Sequence, residues 1–195
     1  MKIKESENFK GLAQTTKAGW GDGRHKRSKY VDKVVKPSVV MFKSGNFFIS
    51  FSAKSFGRHS TTGKTFNLRV TFFPDRSKKE SIQKFVEIQK RLNNLDRSKP
   101  VPQNVLSRKD LSYMKCKVNC NCPDYVYRME YANHAIGAAN IVSGNGQYPE
   151  VTNPAEKPGL CKHLLGLLTF LSGGGQLSAV AKDSWNNDKT KNPLR

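Results

Sequence analysis

The chain has 195 residues, 34 lysines and arginines against 15 aspartates and glutamates, a formal net charge of +19, and four cysteines. This length suits one domain or a small domain with appendages, and no apolar run approaches the roughly 18 residues of a membrane span. Met1-Lys2-Ile3-Lys4-Glu5 lacks the apolar stretch of a secretory signal, so neither a membrane-spanning nor an exported role is expected, and a reducing compartment is, where paired cysteines serve more often as metal ligands than as disulfides.

Residues 1–36 carry a net charge of +6, residues 37–110 carry +10, residues 111–172 carry +1 and residues 173–195 carry +2. The excess points to a polyanionic partner and places any nucleic-acid contact before residue 111. Residues 1–36 show no steady hydrophobic period. Gly11, Gly19, Gly21 and Gly23 punctuate a stretch that runs into Arg24-His25-Lys26-Arg27. So little apolar surface does not repay the entropy of ordering, so the segment reads as a basic extended arm, either a solvated tail or a segment that orders against a partner, the latter favoured by Phe9 and Trp20.

Residues 37–73 read as a small antiparallel meander. Val39 to Phe42 is apolar, Ser44-Gly45-Asn46 is a turn signal, and Phe47, Ile49 and Phe51 alternate with Phe48, Ser50 and Ser52. Phe66, Leu68, Val70 and Phe72 then alternate with Asn67, Arg69 and Thr71. Between these strands, Gly57 to Thr65 approaches a phosphate-binding loop. Its glycine spacing is wrong, however, and a strand follows where a helix is needed, so a basic hairpin tip is expected instead.

Residues 77–96 carry helical spacing, with Ser77 and Glu80 as a capping box and Ile82, Phe85, Val86, Gln89, Leu92 and Leu95 as the inward stripe. Residues 97–104, with two prolines, read as a linker.

From Met114 the pattern alternates again. Met114, Cys116, Val118 and Cys120 share one face of a half-buried strand, which ends in Cys120-Asn121-Cys122-Pro123-Asp124. Residues 123–160 follow as an aromatic-rich stretch, ambiguous between helix and strand, and then a Gly/Pro/Asn loop. Pro158-Gly159-Leu160-Cys161-Lys162-His163 opens a helix that is apolar nearly all round. Cys120, Cys122, Cys161 and His163 thus form two chelating pairs, each at an element boundary. Three thiolates and an imidazole suit a tetrahedral Zn²⁺. A disulfide, a redox-active pair and independent buried thiols are the competing readings; structural zinc is preferred. Cys116 lies about 13 Å along the strand from Cys120, too far to share one ion, and is expected in the core. His25, His59 and His134 have no paired partner nearby and are expected at the surface.

The C-x-C…C-x-H arrangement, with Cys120-Asn121-Cys122-Pro123-Asp124-Tyr125 and Cys161-Lys162-His163-Leu164-Leu165, resembles the SWIM-type zinc finger. That resemblance implies a strand–strand–helix unit over roughly residues 111–172 and metal ligation at Cys120, Cys122, Cys161 and His163. More narrowly, Asp124 to Ala132, Ser143-Gly144-Asn145-Gly146 and Val151-Thr152-Asn153-Pro154 resemble the SWIM-like segment of tailed-phage virion structural proteins.

The expected fold class is α+β. A basic extended arm spans 1–36, a β meander with amphipathic helix and linker 37–104, a SWIM-like zinc-binding domain 105–172, and a C-terminal tail 173–195. No nucleophile–base set, carboxylate pair or open metal position is legible, so no catalytic residue is expected. The expected function is a non-enzymatic, zinc-stabilised structural or assembly protein of a tailed-phage virion (neck, tail or baseplate), in the host cytoplasm during assembly. It would be present in many copies, docked by its arms on other virion proteins and away from any membrane. The alternative is a sequence-tolerant DNA- or RNA-binding zinc-finger protein, with contacts through residues 1–110.

Overall fold

A computed structural model of the chain describes residues 8–21, 31–41, 47–55, 63–96, 99, 109–110, 113–172 and 180–182. The basic run 24–27 with His25, the hairpin tip around His59, nearly all of the expected linker 97–104 and most of the expected tail lie outside these residues.

The first described element differs from the expected arm. Phe9–Trp20 is a helix, α1, capped by the Asn8 side chain, which accepts the Gly11 N–H at 2.8 Å. It ends at Gly21, whose φ of 69° glycine adopts without strain. Phe9, Leu12, Ala13 and Thr16 form its buried stripe. Two glycines, the threonines and a short apolar set obscure that period in the sequence. Only packing on the rest of the protein makes the helix worth ordering.

The meander is present and larger than expected. Strands β1 (Val31–Met41), β2 (Phe47–Ser55) and β3 (Lys64–Pro74) pair antiparallel in sequence order. Pro37 lacks an N–H for the ladder, and the β1–β2 register shifts between Val35 and Ser38, where it sits. β4 (Met114–Cys120) pairs antiparallel with β3, and β5 (Val180–Lys182) pairs parallel with β1. The sheet order is therefore β4-β3-β2-β1-β5. Residues 180–182, expected in an extended tail, are a sheet strand. The boundary expected at residue 104 falls between two neighbouring strands of one sheet, and the architecture is α+β.

Register builds the core. Leu68 faces Cys120, Val70 faces Val118 and Phe72 faces Cys116 across β3 and β4. On β4 every second residue is buried, as the alternation requires. Phe9 meets Phe72 edge to face, with ring centroids 6.4 Å apart.

Helix α2 (Lys79–Asn93) lies within the expected span, but its cap and face both differ. Its N-cap residue is Lys78, which makes no side-chain cap bond. Ser77 is instead drawn to Asp75, donating its N–H and hydroxyl to Oδ1 at 3.1 and 2.6 Å. The buried stripe is Ser81, Phe85, Ile88 and Leu92, which leaves Ile82 40% and Val86 41% exposed. The polar Ser81 disguised this face. Its hydroxyl donates to the Tyr113 carbonyl and accepts the Asp75 N–H, so its burial is compensated.

After β4, the ambiguous stretch is helical. α3 (Pro123–Val126) and α4 (Glu130–Ala135) bury Tyr125, Met129 and Ala132 at helical spacing, leaving Tyr127 outside. An irregular loop then leads to α5 (Lys162–Ser172), the expected apolar helix, which buries Leu164, Leu165 and Leu167. No helix among the described residues is long and apolar enough to cross a membrane.

Candidate metal centre

The sheet and α5 bring both chelating pairs to one point. Cys120 closes β4, and Cys122 caps α3, its carbonyl accepting the N–H groups of Tyr125 and Val126 at 3.0 Å. Cys161 directly precedes α5, where its carbonyl accepts the Leu165 N–H, and His163 sits in the first turn. The four ligand atoms all lie within 4.8 Å of one another, and all four residues are buried. His163 turns Nδ1 toward the sulfurs, 3.8 Å from Cys120 and 3.9 Å from Cys161. Thiolates on one Zn²⁺-sized ion sit about 3.8 Å apart, so the cluster has nearly the span of a tetrahedral site. The group could hold a metal ion, and with four protein donors it would offer no open position to water or substrate.

The electrostatics of the thiols fit that role. Hydrogen bonds from Cys120 and Cys161 lower the Cys122 thiol far below its ordinary range. Burial, and then the neighbouring sulfurs, push Cys120 and Cys161 well above theirs. A cation bound there would compensate buried thiolate charge and displace thiol protons. The four cysteines form no disulfide.

Around the ligands stands a scaffold that the sequence did not reveal. Phe66, on β3, packs against the His163 ring with centroids 4.6 Å apart. The segment entering Cys161 is held from two sides. The Asn133 amide accepts the Gly159 N–H at 2.9 Å and donates to the Gly159 carbonyl at 2.8 Å. Thr16 of α1 accepts the Leu160 N–H at 2.8 Å, and Trp20 Nε1 donates to the Pro158 carbonyl at 3.4 Å. A side chain at Gly159 would stand 3.0 Å from Trp20 Nε1 and 3.1 Å from the Thr16 hydroxyl, so glycine permits this approach. On the other pair's side, the buried Tyr125 hydroxyl donates to the Val118 carbonyl of β4. Lone polar residues such as Thr16 and Asn133 carry no periodic signal, and their partners are remote in sequence.

Cys116 is fully buried opposite Phe72 and takes no part in the cluster, as its spacing required. His134 lies beside the Ala139 carbonyl, with Nδ1 3.2 Å from it, away from the site. Comparison with protein-family models, with curated proteins and with solved structures gives no match.

Proposed function

We propose that Cys120, Cys122, Cys161 and His163 bind one structural Zn²⁺ in a SWIM-like unit, and that the protein is a non-enzymatic structural or assembly component. The observation that supports this reading is the closed, buried tetrad. Its soft thiolate and imidazole donors suit zinc, and its fourfold completeness suits a fixed strut better than a reaction centre. A metal of this kind contributes on the order of 10 kcal/mol to folding. Here it would tie the end of β4 to the start of α5, two elements 43 residues apart at Cys120 and His163.

A place in a tailed-phage virion is the proposed setting. It rests on the likeness of residues 124–164 to virion structural proteins, with other virion proteins as partners. Elemental analysis of reduced protein should give about one zinc per chain. Mass spectrometry of purified particles from an infected host should find the chain in stoichiometric amounts. No zinc would remove the first proposal, and absence from particles the second.

A second reading, nucleic-acid binding, has one observation in its favour: residues 1–110 hold almost the whole positive excess. Duplex DNA binding that weakens steeply between about 50 and 200 mM salt would support it.

A further inference from the structure

A cleft of about 880 Å³ opens on the side of the 123–160 segment, between the α3–α4 turn and the 143–152 loop. Tyr127, Tyr131 and Tyr148 line it with Gln147, Glu150 and Thr152. Its volume lies in the range of small-ligand sites. The surface there is unusual for this protein. Of the six large hydrophobic side chains exposed among the described residues, Tyr127, Val142, Tyr148 and Val151 belong to this turn and loop. Such concentration, bordered by polar groups, marks a contact surface.

The walls are fixed in advance. Glu130 is buried and its carboxylate accepts the N–H groups of Val142, Ser143 and Gly144 at 3.0, 3.0 and 2.5 Å. Thr152 donates its hydroxyl to the Tyr127 carbonyl, and Tyr148 donates to that of Pro154. Asn153 donates its amide to the carbonyls of Arg128 and Lys157. Tyr131 and Tyr148 brace each other edge to face, centroids 5.9 Å apart. A ligand entering the cleft therefore meets a loop already ordered, which lowers the entropic cost of binding.

The groups left over define the ligand's chemistry. Tyr127 is 67% exposed, and its ring has no ring partner among the described residues. The Glu150 carboxylate has no ion-pair partner among them, and the Gln147 amide, whose oxygen accepts from Asn145, keeps its NH₂ unspent. No lysine or arginine lines the cleft of this strongly basic chain, so no cationic side chain there favours a phosphate or carboxylate. The net charge of +19 repels a cationic ligand at long range. What remains is a neutral, polyhydroxylated ring. Its C–H face suits the electron-rich face of an exposed tyrosine. Its vicinal hydroxyls suit a carboxylate that accepts and an amide that donates. We propose that this cleft binds a neutral oligosaccharide.

The test uses the full, metal-loaded chain with maltotriose, cellotriose and chitotriose as probes, by saturation-transfer NMR and titration to about 10 mM. At least one should saturate with a Kd of about 1 mM or tighter. Tyr127→Ala and Glu150→Gln should each weaken it about tenfold or more, while metal content stays unchanged. Gln147→Ala, at an exposed position, replaces either variant if that variant fails to load metal. Failure of all three sugars to saturate would overturn the proposal, as would undiminished binding in the variants. Occupation of the cleft by hexa-arginine or inorganic phosphate in place of sugar would overturn it too. Zinc stoichiometry is read separately, so a failure here leaves the metal proposal standing.

Discussion

The Thr16 hydroxyl accepts the N–H of Leu160 at 2.8 Å and donates to the carbonyl of Leu12 at 2.7 Å, joining α1 to the residue before Cys161. One buried threonine thus fixes the backbone that aims Cys161, a candidate metal ligand, from 144 residues away. Outer partners of this kind orient ligands and tune affinity.

Thr16→Val should keep the shape and remove both bonds. Leaving the buried Leu160 N–H without its acceptor costs about 1–3 kcal/mol. Urea denaturation should register that loss. Metal release to a chelator should be faster than in the wild type, and unchanged release would detach α1 from the site.

The cysteines should separate cleanly into two classes. Cys120→Ser, Cys122→Ser and Cys161→Ser should each lose bound metal and the cooperative unfolding transition. Cys116→Ala should retain about one metal per chain and lose only on the order of 1 kcal/mol of packing. Equal metal loss in Cys116→Ala would mean that the strand register is wrong.

Asp75 gives a pH signature. Hydrogen bonds from Ser77 lead the causes that lower its pKa from 3.8 to about 2, and Lys115, 3.3 Å away, adds to them against the cost of burial. A depressed carboxylate stabilises the fold above its unfolded pKa and loses that contribution as pH falls through the folded value. The difference corresponds to about 2 kcal/mol, because the side chain is almost wholly shielded from solvent. Asp75→Asn should therefore be less stable by about that amount from neutrality to about pH 4, with the gap closing toward pH 2. Denaturant titrations of the metal-loaded wild type and variant side by side, in which any acid release of metal is common to both, measure the gap. A gap that widens in acid would contradict the assignment.

Gly144→Ala should disturb the 142–152 loop selectively. An added methyl would meet Glu130 Oε2 at 2.5 Å, so the carboxylate must give up at least one of its three backbone donors. Amide hydrogen exchange should accelerate at residues 142–144 and leave β3 and β4 protected.

The sheet, α2, α5 and the clustering of the four Cys/His residues were legible because each carries a local regularity. Alternation marks Met114 to Cys120, and two short-spaced donor pairs mark the site. The misreadings came where the deciding interaction is remote or polar. α1 owes its order to surfaces supplied by β4 and α5, so its own sequence resembled an arm. The α2 face turned on Ser81, a serine buried because the Tyr113 carbonyl and the Asp75 N–H meet it. β5 is three residues long and is defined by its pairing with β1, not by any pattern of its own.

The 144-residue separation of Thr16 and Leu160 also sets a timetable. At ribosomal speeds of about 5–20 residues per second, α1 leaves the tunnel on the order of ten seconds before the strand of chain it must clasp. For most of that interval Phe9 and Leu12 lack β4, and for all of it they lack α5, to cover them. The nascent chain consequently carries α1 sticky and unfinished until the segment around Leu160 emerges. The last candidate ligands to emerge, Cys161 and His163, are the ones whose capture of metal would let α1 close on the fold.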